Sequence, residues 1–404
     1  YYDYYQPESY MPATDTYIAK TATVNKKIEQ MRLRATASLA SGEPTVIVST
    51  VSCIYGLGNP NDYFSQAVRL KKGECITRTQ IAGKLVDVLY DRNDSAPGPG
   101  SFRIKGDTVD VFPAYSDRVI RIELFGDEIE SIKELAGVTL NKIRDLPNTT
   151  IFPARHFVVP QSRIQSVVRQ IKDELNQRLP QLGELEAHRL KTRTKYDLEQ
   201  IEHLGYCNGV ENYSRYFDNR KPGEPPYSLM DFFKDDSLLV IDESHVTIPQ
   251  LHGMHEGDKS RKQSLVDFGF RLPSAFDNRP LKFSEFEKHV ANRATIFVSA
   301  TPSLYEKTKS SQIVEQLVRP TGVLDPQVTV LKSEGQIQDL LKRVKEKASK
   351  GQRTLVTTLT KRMAEDLTEF LAKNECKVRY LHSDIDTISR NHIIRELRVG
   401  KFDC

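Results

Sequence analysis

The feature that most constrains this fold is a set of short apolar runs set among charged helical stretches: residues 45–51 (TVIVSTV), 236–241 (DSLLVI), 295–301 (TIFVSAT), 354–358 and 377–381. Brief β-branched runs without polar alternation suit strands covered on both faces, and such strands belong to parallel sheets flanked by helices. Helical patterns lie around them. Val24, Ile28, Met31, Ala35 and Leu39 share one helical face before Gly42 and Pro44 stop it; residues 161–204 are helical and heavily charged; Ala364, Leu367, Phe370 and Leu371 mark another helix. The expected class is α/β.

One stretch follows a different rule. Phe102, Ile104, Val109 and Val111 alternate about Gly106-Asp107, and Ile120, Ile122 and Leu124 precede Gly126-Asp127 and Ile129. Alternation with Gly-Asp turns predicts antiparallel hairpins, and 96–100 (APGPG) is a loop. Because α/β patterning resumes afterwards, residues 59–157 read as an inserted β-rich domain.

At 404 residues the chain is long enough for two to three domains. No apolar run approaches the roughly 18 residues of a membrane span, and no signal-peptide pattern opens the sequence. Cys53, Cys75, Cys207, Cys376 and Cys404 are scattered without metal-ligand spacing, as expected of reduced thiols in a cytoplasmic protein. Lys and Arg exceed Asp and Glu by only 58 to 54, so a nucleic-acid partner has to be held by a local patch. Trp is absent, yet six of 17 tyrosines (Tyr1, Tyr2, Tyr4, Tyr5, Tyr10 and Tyr17) fall in the first twenty residues. With Pro7 and Pro12 between β-favouring arms, that segment predicts a hairpin over 1–24.

The sharpest chemical signal is SLLVIDESH, residues 237–245. A strand ending in adjacent carboxylates puts Asp242 and Glu243 at the carboxyl edge of a sheet, where ligands of open α/β folds bind. Nucleotide hydrolysis needs such a pair: Asp242 to hold Mg²⁺ through water, Glu243 to orient or deprotonate the attacking water. The plainer alternative is that Asp-Glu-Ser only caps a helix. Downstream, TIFVSAT ends in Ser299 and Thr301. The ordered pair Asp-Glu-x-His and Ser-Ala-Thr resembles motifs II and III of superfamily 2 helicases, with His245 between them.

The resemblance then narrows. YYDYYQPESYMP, VSCIYGLGNP, GYCNGVENYSRYF, LLVIDESHVTIPQLHGM, FGFRLPSAFDNRPL, RPTGVLDP, TLTKRMAEDLTEFL and YLHSDID are similar to the UvrB family, the damage-verifying helicase subunit of bacterial nucleotide excision repair. These blocks run nearly the whole length. The resemblance implies RecA-like helicase domains, the first over 25–58 and 158–320, the second over 321–404, and a hairpin over 1–24 that forms a subdomain with about 250–284. It implies ATP and Mg²⁺ as cofactors and catalytic roles for Asp242, Glu243, His245, Ser299 and Thr301. It also implies that Tyr1, Tyr2, Tyr4, Tyr5, Tyr10, Tyr17 and Lys20 meet DNA, one strand being held behind the hairpin. Stacking on tyrosine is sequence-tolerant, which suits a sensor of varied lesions; the alternative use of the rings is cross-strand packing. Domain 59–157 would dock UvrA, with Arg92, Arg103, Arg121 and Glu123 as charged contacts, against the alternative of solvated strand faces. UvrC would be recruited by a region outside these residues.

The phosphate loop of that family, Gly-x-x-x-x-Gly-Lys-Ser/Thr, is not found: Gly83-Lys84-Leu85 and Gly400-Lys401-Phe402 do not qualify. These 404 residues alone are therefore expected not to turn over ATP. A transcription-repair coupling translocase and a non-catalytic DNA-binding scaffold are the rival readings.

Overall fold

The computed structural model describes residues 2–317 and 322–404; the side chains of residues 2–5, 22, 24 and 387 fall outside it. Two compact units divide the chain, Tyr1–Ile313 and Val314–Cys404.

The first unit opens with strands β1 (Tyr2–Gln6), β2 (Ser9–Met11), β3 (Thr16–Ile18) and β4 (Thr21–Val24). β1 pairs antiparallel with β4, and β2 with β3, so the segment is one hairpin interrupted near Pro7, which has no N–H to give the ladder. At the tip, Pro12–Thr14 make a 3₁₀ turn closed by Asp15 in left-handed backbone. α1 (Lys26–Ser41) follows; the Asn25 side chain accepts from the amides of Lys27 and Ile28, and Gly42 ends the helix at φ 71°. Its inward face differs from the expected one. Gln30, Leu33, Thr36 and Ala37 are buried while Met31 is half exposed. Polar partners turn the helix: Gln30 Nε2 donates to Asp117 Oδ1 at 3.0 Å, and Thr36 Oγ1 lies 3.2 Å from His156 Nε2.

The run 45–51 carries no strand pairing among the described residues, and Val46 and Val48 are 93% and 95% exposed, against the expectation of a buried strand. A run that should be covered on both faces has no neighbouring ladder beside it.

The inserted domain matches its pattern. α2 (Pro60–Ser65), β5 (Val68–Lys71) and α3 (Arg78–Asp87) lead into β6 (Asp91–Arg92), β7 (Ser101–Lys105), β8 (Thr108–Phe112), β9 (Arg118–Phe125), β10 (Glu128–Ala136), β11 (Lys142–Leu146) and β12 (Asn148–Ile151). A six-stranded sheet runs in the order β11-β10-β9-β8-β7-β6, antiparallel except for β6 beside β7, while β12 pairs with β5. Gly106 and Gly126, at φ 58° and 62°, make the two tight turns. Ile81 and Leu85 of α3 close the core over Phe102, Val109, Val111, Ile122, Ile129 and Ile132.

α4 (Gln161–Arg178), α5 (Glu184–Leu204) and α6 (Ser214–Phe217) form a helical body with its own apolar cluster, including Val167, Ile171, Leu198, Ile201, Tyr213 and Phe217. This body was expected as part of the first RecA-like domain; its core is separate. β13 (Leu238–Ile241), α7 (Ser244–Asp267), α8 (Phe283–Ala291), β14 (Ala294–Phe297) and α9 (Leu304–Lys309) complete the unit. β13 and β14 are parallel, in register from Leu238↔Ala294 to Ile241↔Phe297. Ile241 packs on Ile54, Ile248, Leu251 and Phe286, whereas Leu238, Val240 and Ile296 stand about half exposed, so one face of the pair is covered rather than two.

The second unit holds α10 (Gln336–Ser349), α11 (Lys361–Lys373) and α12 (Thr387–Arg398), with α10 and α11 packed around Val344, Leu371 and Cys376. Neither 354–358 nor 377–381 is a ladder strand. Extended chain at the C-terminus sits beside both instead: Thr354 N–H donates to Asp403 O at 2.9 Å, and Arg379 N–H to Cys404 O at 3.1 Å.

Candidate functional site

At the carboxyl ends of β13 and β14 the chain bonds tightly. Val298 N–H donates to Ile241 O at 2.9 Å and Ser244 N–H to Val298 O at 3.0 Å, carrying the ladder beyond the strands. Between these bonds Glu243 adopts left-handed backbone, φ 43°, at the N-cap of α7. A non-glycine residue there is costly unless its surroundings impose it. Asp242 is pinned as well: its Oδ1 accepts from Glu243 N–H at 3.0 Å and its carbonyl accepts from Thr247 Oγ1 at 2.8 Å. Both carboxylates are exposed.

Ser299 Oγ shares a 2.7 Å hydrogen bond with His245 Nδ1 and accepts from Thr301 N–H at 3.1 Å. Glu243 Oε2 lies 3.6 Å from the same imidazole nitrogen. The two sequence motifs are thus one constellation. Beneath it lies Glu306, a buried carboxylate that caps α9 by accepting from the Ser303 amide at 3.0 Å. Burial pushes its pKa up, but the Ser303 hydroxyl and the backbone amides at the start of α9 hold it below the ordinary value.

No group of three His, Cys, Asp or Glu among the described residues could hold a metal ion. The donor set at Asp242 nevertheless suits Mg²⁺. That cation keeps several waters and takes one or two carboxylates together with nucleotide phosphates, so an exposed strand-end carboxylate is the donor it needs.

The hairpin is fixed by residues that motif reading missed. Glu8, 2% exposed, sits at its interruption. Arg193 Nη1 donates to Glu8 Oε1 at 2.7 Å, Arg271 Nε to Oε2 at 2.7 Å, Tyr17 Oη to Oε1 at 2.7 Å, and Arg261 Nη1 to the carbonyl at 3.2 Å. Burial opposes the charge, yet Arg271 and Arg193 bring the Glu8 pKa down to about 2.

Beyond Glu8, the Tyr17 ring stacks on Phe270 with centroids 4.5 Å apart, and the Tyr10 ring meets Phe268 at 4.8 Å and Phe270 at 5.0 Å. Arg189 covers the other aromatic surface, 4.1 Å from the Phe270 centroid. Gly269, φ 73°, carries this pair against α5 so closely that a Cβ would strike the Glu186 carbonyl. Tyr10 and Tyr17, expected at DNA, are therefore engaged within the protein. Lys20 Nζ is 3.1 Å from Glu211 Oε1. Tyr4 pairs with Thr23, Tyr5 with Ala22 and Tyr2 with Val24 in the ladder; their side chains, and all of Tyr1, lie outside the described structure.

On the inserted domain, three of the four expected contacts are engaged in its sheet. Arg103 and Arg121 both grip Asp110, and Glu123 accepts from Ser131 Oγ at 2.6 Å and from Lys133 Nζ. Arg92, on the short edge strand, pairs with Asp94 at 2.8 Å and is more exposed.

The parallel strand pair thus ends in two carboxylates and two hydroxyls beside a histidine that Ser299 holds, and in the second unit residues 335–404 match the model of the Helicase conserved C-terminal domain. The fold class is RecA-like α/β. Residues 68–157 match the UvrB interaction domain and 162–219 the UvrB third helical domain. The chain is 59% identical over 403 residues to UvrABC system protein B of Methanosarcina mazei, 53% over 408 to that of Synechococcus elongatus and 52% over 408 to that of Carboxydothermus hydrogenoformans. All of the chain is covered in each case, and it spans about 60% of the length of those curated relatives. The chain belongs to the UvrB family.

Proposed function

We propose that these residues form the DNA-probing and partner-docking part of a damage-verifying helicase subunit in nucleotide excision repair, working in the cytoplasm on DNA received from UvrA and passed to UvrC. The observation that carries the reading is the continuity of α7. The helix begins at the Asp242-Glu243 turn, and just past its last residue, Asp267, come the Phe268 and Phe270 that hold the hairpin tip. Twenty-four residues at 1.5 Å each separate those ends by about 36 Å.

In this reading Asp242 would hold Mg²⁺ through water, and that cation would supply neutralisation of charge on the nucleotide phosphates. Glu243 would orient or deprotonate the attacking water. His245, Ser299 and Thr301 relay changes at that turn to β14 and the chain beyond it. Tyr1, Tyr2, Tyr4 and Tyr5 stack on bases of one strand, each contributing about 1–3 kcal/mol without reading sequence. Tyr10, Tyr17 and Glu8 hold the hairpin in place, and Lys20 beside Glu211 steadies its return strand. Arg92, Arg103, Arg121 and Glu123 meet UvrA. The domain plan is the hairpin 1–24 with 250–284, helicase parts 25–58, 158–320 and 321–404, the second of them interrupted by the separate helical body of 162–219, and docking domain 59–157. With no phosphate loop in its sequence, this span alone does not turn over ATP.

Replacing Tyr4 and Tyr5 by Ala is the test. Binding of a duplex bearing a bulky adduct should fall to the level of undamaged duplex while the circular dichroism stays unchanged. Undiminished preference for the adduct would sink the reading.

A further inference from the structure

Asp110 is an unusual resident of the outer face of a sheet. It lies between β7 and β9, directly opposite Arg103 on one side and Arg121 on the other, yet it is only 3% exposed. The two guanidinium groups cover it. Arg103 reaches Oδ2 through Nε at 2.9 Å and Nη2 at 2.7 Å; Arg121 reaches Oδ1 through Nε at 2.7 Å and Oδ2 through Nη2 at 3.0 Å. Burial raises the cost of its charge, but the two arginines hold its pKa below the ordinary value.

Four donors on one carboxylate leave the arginines little freedom. These bonds use the Nε–H and one Nη2–H of each, so both N–H of Nη1 and the second N–H of Nη2 are what the pair can offer to another molecule. Phe112 supports Arg103 from the side, its ring centroid 5.8 Å from the guanidinium carbon. Long side chains normally give up rotamer freedom on association, and these two have already done so.

We propose that Asp110 is the positioning residue of the docking face, setting Arg103 and Arg121 as one rigid plate whose outward corners take paired carboxylates of a protein partner. The inference rests on the UvrA-docking reading of this domain and adds to it the organiser and the complementary chemistry. A protein suits the face better than nucleic acid does. Across the sheet the row runs Arg103, Asp110, Arg121, Lys133 and Asp145, so acids interrupt the positive charge, and Lys133 itself pairs with Glu123. A phosphate backbone calls for unrelieved positive charge.

The test exploits a sign. Asp110→Asn removes a negative charge, so if only the field of the face mattered, an acidic partner would bind faster and more tightly. If Asp110 acts by holding the arginines, binding weakens, by about ten-fold. Affinity of the 404-residue chain for UvrA would be measured for wild type, Asp110→Asn, Arg103→Gln/Arg121→Gln and the triple variant, with thermal unfolding as the folding control. Weaker binding by Asp110→Asn that disappears in the background lacking both arginines supports the proposal. Tighter or unchanged binding overturns it and leaves the docking reading standing. Should Asp110→Asn not fold, Asp110→Glu decides: it keeps the charge but moves the carboxylate, so weaker binding supports and unchanged binding overturns. If Arg103→Gln/Arg121→Gln binds UvrA like wild type, or loses duplex DNA binding instead, the docking reading itself fails and the inference with it.

Discussion

The inserted sheet and the β13–β14 pair are made of similar residues and end up differently. In the sheet, alternating strands present one apolar face to α3 and one charged face to water, and Phe102, Val109 and Ile122 are essentially sealed. In the strand pair, uninterrupted apolar runs leave Leu238, Val240 and Ile296 about half exposed. Alternation carries its own solution, because each strand needs one covering layer. An apolar run needs two, and residues outside the pair must supply the second.

The contrast can be broken most forcefully in the sheet. Phe102→Ala, at 1% exposure, should cost about 3–5 kcal/mol in urea unfolding; a cost below about 1 kcal/mol would mean that the domain's core is not its source of stability. Next is the hairpin anchor. Glu8→Ala leaves Arg193 and Arg271 without their shared partner and should cost about 3 kcal/mol locally, read as faster hydrogen exchange at residues 9–18 with the inserted sheet unaffected. Gly269→Ala forces a Cβ onto the Glu186 backbone at positive φ and should cost about 2 kcal/mol in the same readout.

Acid should separate two junctions. Burial, with the charge of Arg32, lowers the His156 pKa from 6.5 to about 3, so the neutral ring stabilises the α1 contact above about pH 6.5 and that contribution drains away as pH falls toward 3. Glu8, lowered from 4.5 to about 2, keeps its full contribution down to about pH 4.5 and loses it toward 2. Between pH 6 and 5, exchange near residues 33–37 should therefore quicken while the hairpin stays protected, and His156→Gln should abolish that difference. The smallest effect belongs to the exposed run: Val46→Ser with Val48→Ser should change stability by less than about 0.5 kcal/mol. A larger loss would reveal a covering contact on these valines.

What the sequence made legible follows the same division. Hairpins at Gly106-Asp107 and Gly126-Asp127 were readable because turn and alternation are local. That Asp242, Glu243, His245, Ser299 and Thr301 come together was readable because neighbouring strand ends confine them. The inward face of α1 was not, since Asp117 and His156 turn it from distant positions. Nor was the role of Glu8, whose partners Arg193 and Arg271 lie 185 and 263 positions away. Tyrosine excess pointed to stacking, and only the placement of Phe268 and Phe270 separates the rings that hold the hairpin, Tyr10 and Tyr17, from those read as probing DNA. Arg103 and Arg121 were singled out as charges, whereas the acid between them passed unnoticed in a strand of apolar neighbours.

The hairpin is fastened at both extremities. Its root runs through Val24 into Asn25, the cap of α1, and its far end is held by Glu8, Tyr10 and Tyr17. A ribbon secured in that way is an arch, and an arch obeys topology as well as energy. If the proposed reading holds and one strand lies behind the hairpin, a linear strand would thread beneath the arch from a free end, whereas a closed circle would enter only when the Tyr17–Phe270 stack and the Glu8 cluster let go. The lifetime of those few contacts would then set the rate at which circular single strands are admitted, and the same contacts would make escape equally slow.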